Sequence, residues 1–339
     1  MKSRIRFLLL LLLFAFSLCG CKESYMEDYN IGMIYTKEYK EDTKLVFLDE
    51  TMEPVDEISF SYSNMSYDGF ANALEIDGRV FFLPKGHGDK LDFGKVISMR
   101  LTDGKVEEYD FDRINMTSFT CDGNWVYATS NLNGISYLDR YDRETKKIVS
   151  METENMITDV IVAGNGSLFG FASDLESGKC YLGQFDIDLQ KSMMLHELKK
   201  EETPAFLQFY KDVLLFVDDD ILYRYNVERK TVEQIMLPHD GAYNLARQEE
   251  KLYIGYTNLF EDNVSYVNVY DLDKQEITRD VTYQGTILQM EISKENPDHL
   301  FLLDYDKLIK IDLAKGKVLC ETEALEEKEY YIGGFFLKE

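Results

Sequence analysis

The chain has 339 residues, with 62 acidic against 37 basic side chains and a formal net charge of −25. That imbalance excludes nucleic-acid binding, which rests on Lys and Arg neutralising phosphates, and broad electrostatic adhesion to anionic lipid. It favours cations or cationic partners only in a generic way.

The N-terminus comes first. Lys2, Arg4 and Arg6 precede an apolar run from Phe7 to Leu18. This is the layout of a secretory signal, and the run is short for a transmembrane helix. The segment ends Leu18-Cys19-Gly20-Cys21, which resembles the bacterial lipobox: an apolar residue, small residues, then Cys. The resemblance implies a signal peptide over residues 1–20 and diacylglyceration of the Cys21 thiol. Cleavage would leave Cys21 as the new N-terminus, and the body would be held at a cell membrane, outside the cytoplasm. An ordinary cleaved signal or an uncleaved anchor is the alternative. Residues 21–30 form the lipidated Cys and a short polar tether. Acyl chains contribute about 0.8 kcal/mol per buried methylene, so two or more make a stable anchor. Residues 1–20 carry three positive charges and no acid, so their removal takes the net charge from −25 to −28.

From residue 31 onward one phrase recurs about every 43 residues, a period that signals a repeat architecture. A strand ends in a bulky residue and usually Asp or Asn, a Lys-rich polar turn follows, and another strand begins. It reads Phe47-Leu48-Asp49, Arg100-Leu101-Thr102-Asp103-Gly104-Lys105, Tyr141-Asp142-Arg143-Glu144-Thr145-Lys146 and Phe185-Asp186-Ile187-Asp188. It continues as Tyr225-Asn226-Val227-Glu228-Arg229-Lys230, Tyr270-Asp271-Leu272-Asp273-Lys274 and Ile311-Asp312-Leu313-Ala314-Lys315-Gly316-Lys317. Seven hairpins with only strand patterns between them predict an all-β, seven-bladed β-propeller of four-stranded antiparallel blades over residues 31–339.

Innermost strands are predicted at Phe70–Glu75, Thr117–Cys121, Ile157–Val162, Ala205–Phe209, Ala242–Arg247, Ile287–Ile292 and Tyr330–Phe336. Second strands follow tight turns such as Asp77-Gly78 and Asp122-Gly123, strong hairpin signals between apolar runs. There are six second strands, at Arg79–Leu83, Trp125–Thr129, Leu168–Phe171, Val213–Val217, Leu252–Tyr256 and Leu300–Leu303. The mismatch predicts the closure. Ile31–Tyr39 and the first hairpin supply three strands of one blade, and the chain end supplies its innermost strand, leaving no open edge. The blade turn at Tyr141–Lys146 resembles that of the bacterial seven-bladed YVTN and WD-repeat-like propellers. That resemblance implies the fold and leaves function open, since such families include binders, scaffolds and enzymes.

Ligands of propellers usually sit on the face made by the loops between second and third strands and between blades. There Tyr62, Tyr67 and Tyr305 are candidate stacking residues for a glycan or peptide. Asp68 lies beside Tyr67, and Gly86-His87-Gly88-Asp89 is the Gly-rich loop with a titratable His. That loop lacks the strand-to-helix setting of a phosphate cradle, and a mobile surface loop explains it equally. Asp218-Asp219-Asp220 is a candidate Ca²⁺ cluster, without the ligand spacing of an EF-hand; no other cofactor is expected. Asp271 and Asp273 belong to the blade turn, where Asp bonds its own backbone. The four His residues lie in separate repeats, which argues against zinc. No Gly-x-Ser-x-Gly elbow occurs, and one Trp is too few for a quinone-cofactor propeller. Most of the 23 Tyr and 21 Phe residues belong between blades. The expectation is a membrane-anchored lipoprotein whose propeller binds a protein, peptide or glycan without catalysis. The alternative is an extracytoplasmic enzyme, lactonase-like or a cation-dependent hydrolase.

Overall fold

In the computed structural model, described over residues 29–65, 73–85, 94–199, 203–257, 263–323 and 329–338, the strands form seven antiparallel sheets of four. No helix occurs among the described residues. Blade 1 has the order Tyr331–Leu337, Ile31–Thr36, Thr43–Leu48, Pro54–Phe60. Blade 2 runs from Leu74 to Asp110, blade 3 from Met116 to Glu154 and blade 4 from Met156 to Glu197. Blades 5, 6 and 7 run from Gln208 to Met236, Ala242 to Gln284 and Gln289 to Glu323. Innermost strands touch between blades 1 and 2, 3 and 4, 4 and 5, 6 and 7, and 7 and 1.

The closure is the one the strand count predicts. Gly32 pairs with Phe336 across the joint between the two chain ends. A Cβ on Gly32 would lie 2.2 Å from the Phe336 ring, so only glycine lets that ring cross the strand. Gln289 of blade 7 clamps the closing strand: its Nε2 donates to the Phe335 carbonyl at 2.7 Å, and the Phe335 N–H donates to its Oε1 at 2.9 Å. Three innermost strands are shorter than expected, Leu74–Ile76 in blade 2, Gln208–Tyr210 in blade 5 and Gln289–Ile292 in blade 7. Ala205, Phe206 and Leu207 are buried without pairing in a sheet, so their apolar run serves packing rather than a ladder.

The core is divided among the blade interfaces. Ile34, Leu45 and Phe47 of blade 1 meet Val80, Phe82 and Ile97 of blade 2. On the other side Ile31, Met33 and Val46 meet Phe301, Leu303 and Leu308 of blade 7. A strand in such a blade is covered on both faces, so Ile31–Thr36 is buried at every position and reads as an apolar run without alternation. The outermost strands are covered on one face, and Ile148–Glu154 alternates accordingly.

The recurrent Asp or Asn of the repeat caps its own turn. Asp142 Oδ1 accepts the N–H groups of Glu144 and Thr145, both at 2.9 Å. Asp271 accepts from Lys274 at 2.8 Å, Asp312 from Lys315 at 3.0 Å and Asn226 from Arg229 at 2.8 Å. These donors favour the charged carboxylate. Asp142 is held below the usual range first by the Thr145 N–H, Asp271 by the Lys274 N–H and Asp312 by the Lys315 ammonium.

Two outcomes follow. A chain ending at Glu329 loses Ile332, Phe335 and Phe336, all buried. At roughly 1.5–3 kcal/mol each, plus the strand's hydrogen bonds, that is comparable with a whole domain's net stability of about 5–15 kcal/mol. Circular dichroism is expected to find this chain unfolded, whereas a native-like melt would refute the closure. The Asp turns are stabilising above the ordinary Asp pKa, and that contribution is lost as pH falls through the lower folded values. Melts from pH 6 to pH 2 are expected to show Asp142→Ala and Asp271→Ala less stable than wild type at pH 6, with the gap closing in acid.

Candidate functional site

The innermost strand of blade 4, Met156–Gly164, is apolar apart from Thr158 and Asp159. A carboxylate there is costly unless it is held by donors. The strand carries a β-bulge between Asp159 and Val162, opposite Gly170 of the second strand. Val160 sits in the bulge at φ 51°, a left-handed conformation that a β-branched residue rarely adopts. Such strain persists only where the surroundings impose it. Here the Ile161 N–H donates to Ser118 Oγ of blade 3 at 3.1 Å. Gly170 leaves the room: a Cβ on it would lie 2.9 Å from Ile161 Cγ2 and 3.3 Å from the Asp159 carbonyl. Bulges re-aim side chains next to functional sites, and this one turns Asp159 toward blade 3.

Asp159 Oδ1 accepts a hydrogen bond from the Thr117 hydroxyl and another from Asn131 Nδ2 at 3.1 Å. Asn131 also donates to Thr117 Oγ1 at 3.1 Å and accepts the Thr158 N–H at 3.3 Å. Its amide is thereby fixed with nitrogen toward the carboxylate. Oδ2 of Asp159 takes no hydrogen bond among the described residues. Lys85 of blade 2 supplies the electrostatic counterpart. Burial pushes its ammonium down to about 8, and attraction to Asp159 offsets part of that effect. Burial also raises Asp159, against the hydrogen bonds from Thr117 and Asn131 and the charge of Lys85. The two groups are thus moved toward each other on the pH scale, as at many functional sites.

All four side chains lie at one end of the channel, where innermost strands begin and second strands end. Three other innermost strands bulge near their starts, at Thr117 of blade 3, Tyr243 of blade 6 and Gly333 of blade 1. Tyr243 is 39% exposed. It meets Phe206 edge-on at 5.9 Å, and burial raises its hydroxyl pKa. The mouth therefore offers a carboxylate oxygen and an aromatic pair.

The residues singled out from sequence are scattered. Tyr62 is 8% exposed, packs between blades 1 and 2, and donates to Glu108 Oε1 at 2.6 Å. Its ring is core, which corrects the expectation of a stacking platform. Tyr305 is 62% exposed, in the turn between the second and third strands of blade 7. Asp219 and Asp220 form the turn between the second and third strands of blade 5, and their acceptors serve that structure. Asp219 Oδ1 accepts the Gly241 N–H at 3.1 Å, and the Asp220 carbonyl accepts the Leu237 N–H at 2.7 Å. Among the described residues no three His, Cys, Asp or Glu side chains form a group fit for a metal, Asp218–Asp220 included. Cys21, Tyr67, Asp68, His87 and Asp89 lie outside the described residues. Sequence reading missed Asp159, although a lone carboxylate in an apolar innermost strand was a usable signal.

His239 occupies a closed network. It stacks on Tyr266 at 3.9 Å, and its Nε2 lies 3.0 Å from the Asp280 carboxylate. Asp280 accepts from Asn268 at 2.9 Å, and Asn268 Oδ1 accepts the Tyr256 hydroxyl at 2.6 Å. The network fastens the loop between blades 5 and 6 onto blade 6.

No family model and no curated protein matches the sequence. Solved propellers do match the fold. A candidate 6-phosphogluconolactonase from Bacteroides uniformis superposes with a TM-score of 0.63 at 11% identity, covering 92% of this chain and 100% of its own. Apo AztD from Citrobacter koseri gives 0.56 at 11% identity, covering 91% and 97%. Dihydro-heme d1 dehydrogenase NirN gives 0.55 at 12% identity, covering 94% and 76%. At these identities the likeness extends to the fold alone: the chain is a seven-bladed β-propeller.

Lys85 provides a check on the mouth. Between about pH 8 and its ordinary value near 10.5 the unfolded chain holds the proton that the folded chain has lost. Its contribution therefore becomes more stabilising as pH rises through that window, and below pH 8 the penalty for a buried ammonium is fully present. Lys85→Met is expected to be more stable than wild type at pH 7, by about 1–3 kcal/mol. Denaturant melts should find that advantage shrinking toward pH 10. A constant or opposite difference would place Lys85 in water.

Proposed function

We propose that the protein is a membrane-anchored lipoprotein, lipidated at Cys21, whose propeller is a binding module for a hydroxyl-rich ligand of the glycan class. The observation that carries this reading is the bulged Asp159. Its Oδ1 is held by Thr117 and Asn131 while Oδ2 takes no bond among the described residues. A carboxylate oxygen held in place with its partner oxygen occupied suits a sugar hydroxyl, which can donate to it. The exposed Tyr243 ring offers an apolar face to a sugar's C–H surface. Tyr67, Asp68, His87 and Asp89 lie outside the described residues, and we include them in the proposed rim. Asn30 precedes the first strand, at the opposite end, so a lipid on Cys21 would turn the mouth away from the bilayer.

A second reading rests on the opposed shifts of Lys85 and Asp159. Shifted groups in a cleft are the usual equipment of acid–base catalysis, and the alternative is hydrolysis of a sugar-derived substrate such as a lactone.

Titration calorimetry with cell-wall and storage glycan fragments separates the two. Wild type is expected to bind at least one fragment and leave it intact. Asp159→Asn and Tyr243→Ala should each weaken binding at least tenfold. Binding unaltered in both variants would sink the assignment of the mouth, and product formation abolished in Asp159→Asn would establish the enzyme. For the anchor, Cys21→Ala is expected to abolish labelling by a radioactive fatty acid in growing bacteria.

A further inference from the structure

The outermost strands carry an apolar band at the end of the ring opposite Asp159. Val55 is the second residue of Pro54–Phe60 in blade 1, and Ile148 opens the outermost strand of blade 3. Met193 and Met194 follow the first residue of Ser192–Glu197 in blade 4, Ile277 that of Glu276–Gln284 in blade 6, and Val318 and Leu319 that of Lys317–Glu323 in blade 7. All are exposed. Successive side chains of a strand point to opposite faces. Met193 and Met194 are nonetheless 44% and 46% exposed, and Val318 and Leu319 51% and 46%. Neither face of these strand starts is sealed by a neighbouring blade.

The register places the band and the N-terminal segment at one end. Ile31 pairs with Leu48 and Leu48 with Pro54, so Asn30 lies level with the start of the outermost strand of blade 1. Leu252 pairs with Tyr270 and Tyr270 with Ile277, and Leu300 pairs with Ile311 and Ile311 with Val318. Second and outermost strands therefore begin at the same end in these blades. Asn30 lines a groove between blades 7 and 1, so the chain toward Cys21 leaves from beneath the ring rather than from its outer edge. It lies nine residues beyond Cys21, within roughly 30 Å of extended chain.

We propose that this band is a membrane-contact surface, a proposal that rests on the reading of Cys21 as a lipidated anchor. Its occupant is the interfacial layer of a phospholipid bilayer. The band is spread over blades 1, 3, 4, 6 and 7, and a plane meets a whole rim at once, whereas a protein partner covers a local patch. Its side chains are aliphatic or thioether, without the aromatic anchors of a protein interface. The turns beside it carry paired charges: Lys274 lies 3.1 Å from Asp271, and Lys315 lies 2.6 Å from Asp312. Contact is therefore made by apolar burial and does not need anionic lipid. The acyl chains hold the protein at the bilayer, and the band sets how the ring stands on it.

The test uses the full lipidated chain on phosphatidylcholine vesicles brominated high on the acyl chains, where bromine quenches a Trp that enters the interface. Met194→Trp and Val318→Trp put the reporter in the band, Tyr305→Trp puts it at the mouth, and the wild-type emission of Trp125 is subtracted. Emission added at 194 and 318 is expected to fall at least twofold relative to unbrominated vesicles, and emission at 305 to stay unchanged. No loss at either band position, on vesicles that carry the protein, overturns the proposal and leaves the anchor standing. Equal loss at 305 overturns it too, since the ring then has no fixed stance. Band emission that shifts instead with protein density on unbrominated vesicles assigns the band to a second copy. A chain that fails to float with the vesicles removes the anchor and the proposal together.

Discussion

The pairing of Tyr331–Leu337 with Ile31–Thr36 holds the ring shut, and the rest of the structure depends on it. Each blade buries its two faces against two neighbours, so a ring with an open joint would expose two apolar faces at once. The joint is made by Phe336 crossing Gly32, by Phe335 clamped to Gln289, and by the backbone bond from Lys338 to Asn30. The first and last of these link residues about three hundred positions apart, so forming them is costly in chain entropy. Once made, they complete the two flanking interfaces.

Closure has a geometric consequence for function. Each blade begins with its innermost strand, and the starts of these strands form one mouth. At that mouth the ladder is irregular in blades 1, 3, 4 and 6. Regular strands would send their side chains into the blade interfaces. A bulge adds a residue and changes which way the following side chains point. The strain at Val160 is tolerated because Ser118 and Gly170 on neighbouring strands fit the distorted backbone. The carboxylate of Asp159 is a product of that distortion.

The two ends of the ring differ in chemistry. The mouth holds Asp159, Asn131 and Lys85 with Tyr243 and Phe206 on the same rim. The opposite end carries the apolar starts of outermost strands, Met194 and Val318 among them. Part of the chain's negative charge lies in carboxylates such as Asp142 and Asp271 that cap turns. Those carboxylates serve local structure, and the bulk charge therefore says little about either end.

Much of the fold was legible before any coordinates. The repeated Asp-containing turn is a local motif whose hydrogen bonds span a few residues, so its period counts blades directly. The shortfall of second strands against innermost strands located the closure. The turn role of Asp271 follows from the same local chemistry. Tyr62 was misjudged because a residue just past a strand end looks exposed in sequence, while packing against blade 2 covers its ring. What the sequence determined by itself was the set of features built from near neighbours: strand runs, turn chemistry and blade number. Only the tertiary structure decided the site, because Lys85, Thr117, Asn131 and Asp159 come from three blades and meet through a bulge. The groove between blades 7 and 1 needed both chain ends and one turn of blade 7. Periodicity records what each segment does alone; a bulge and a seam exist only where segments distant in the chain constrain one another.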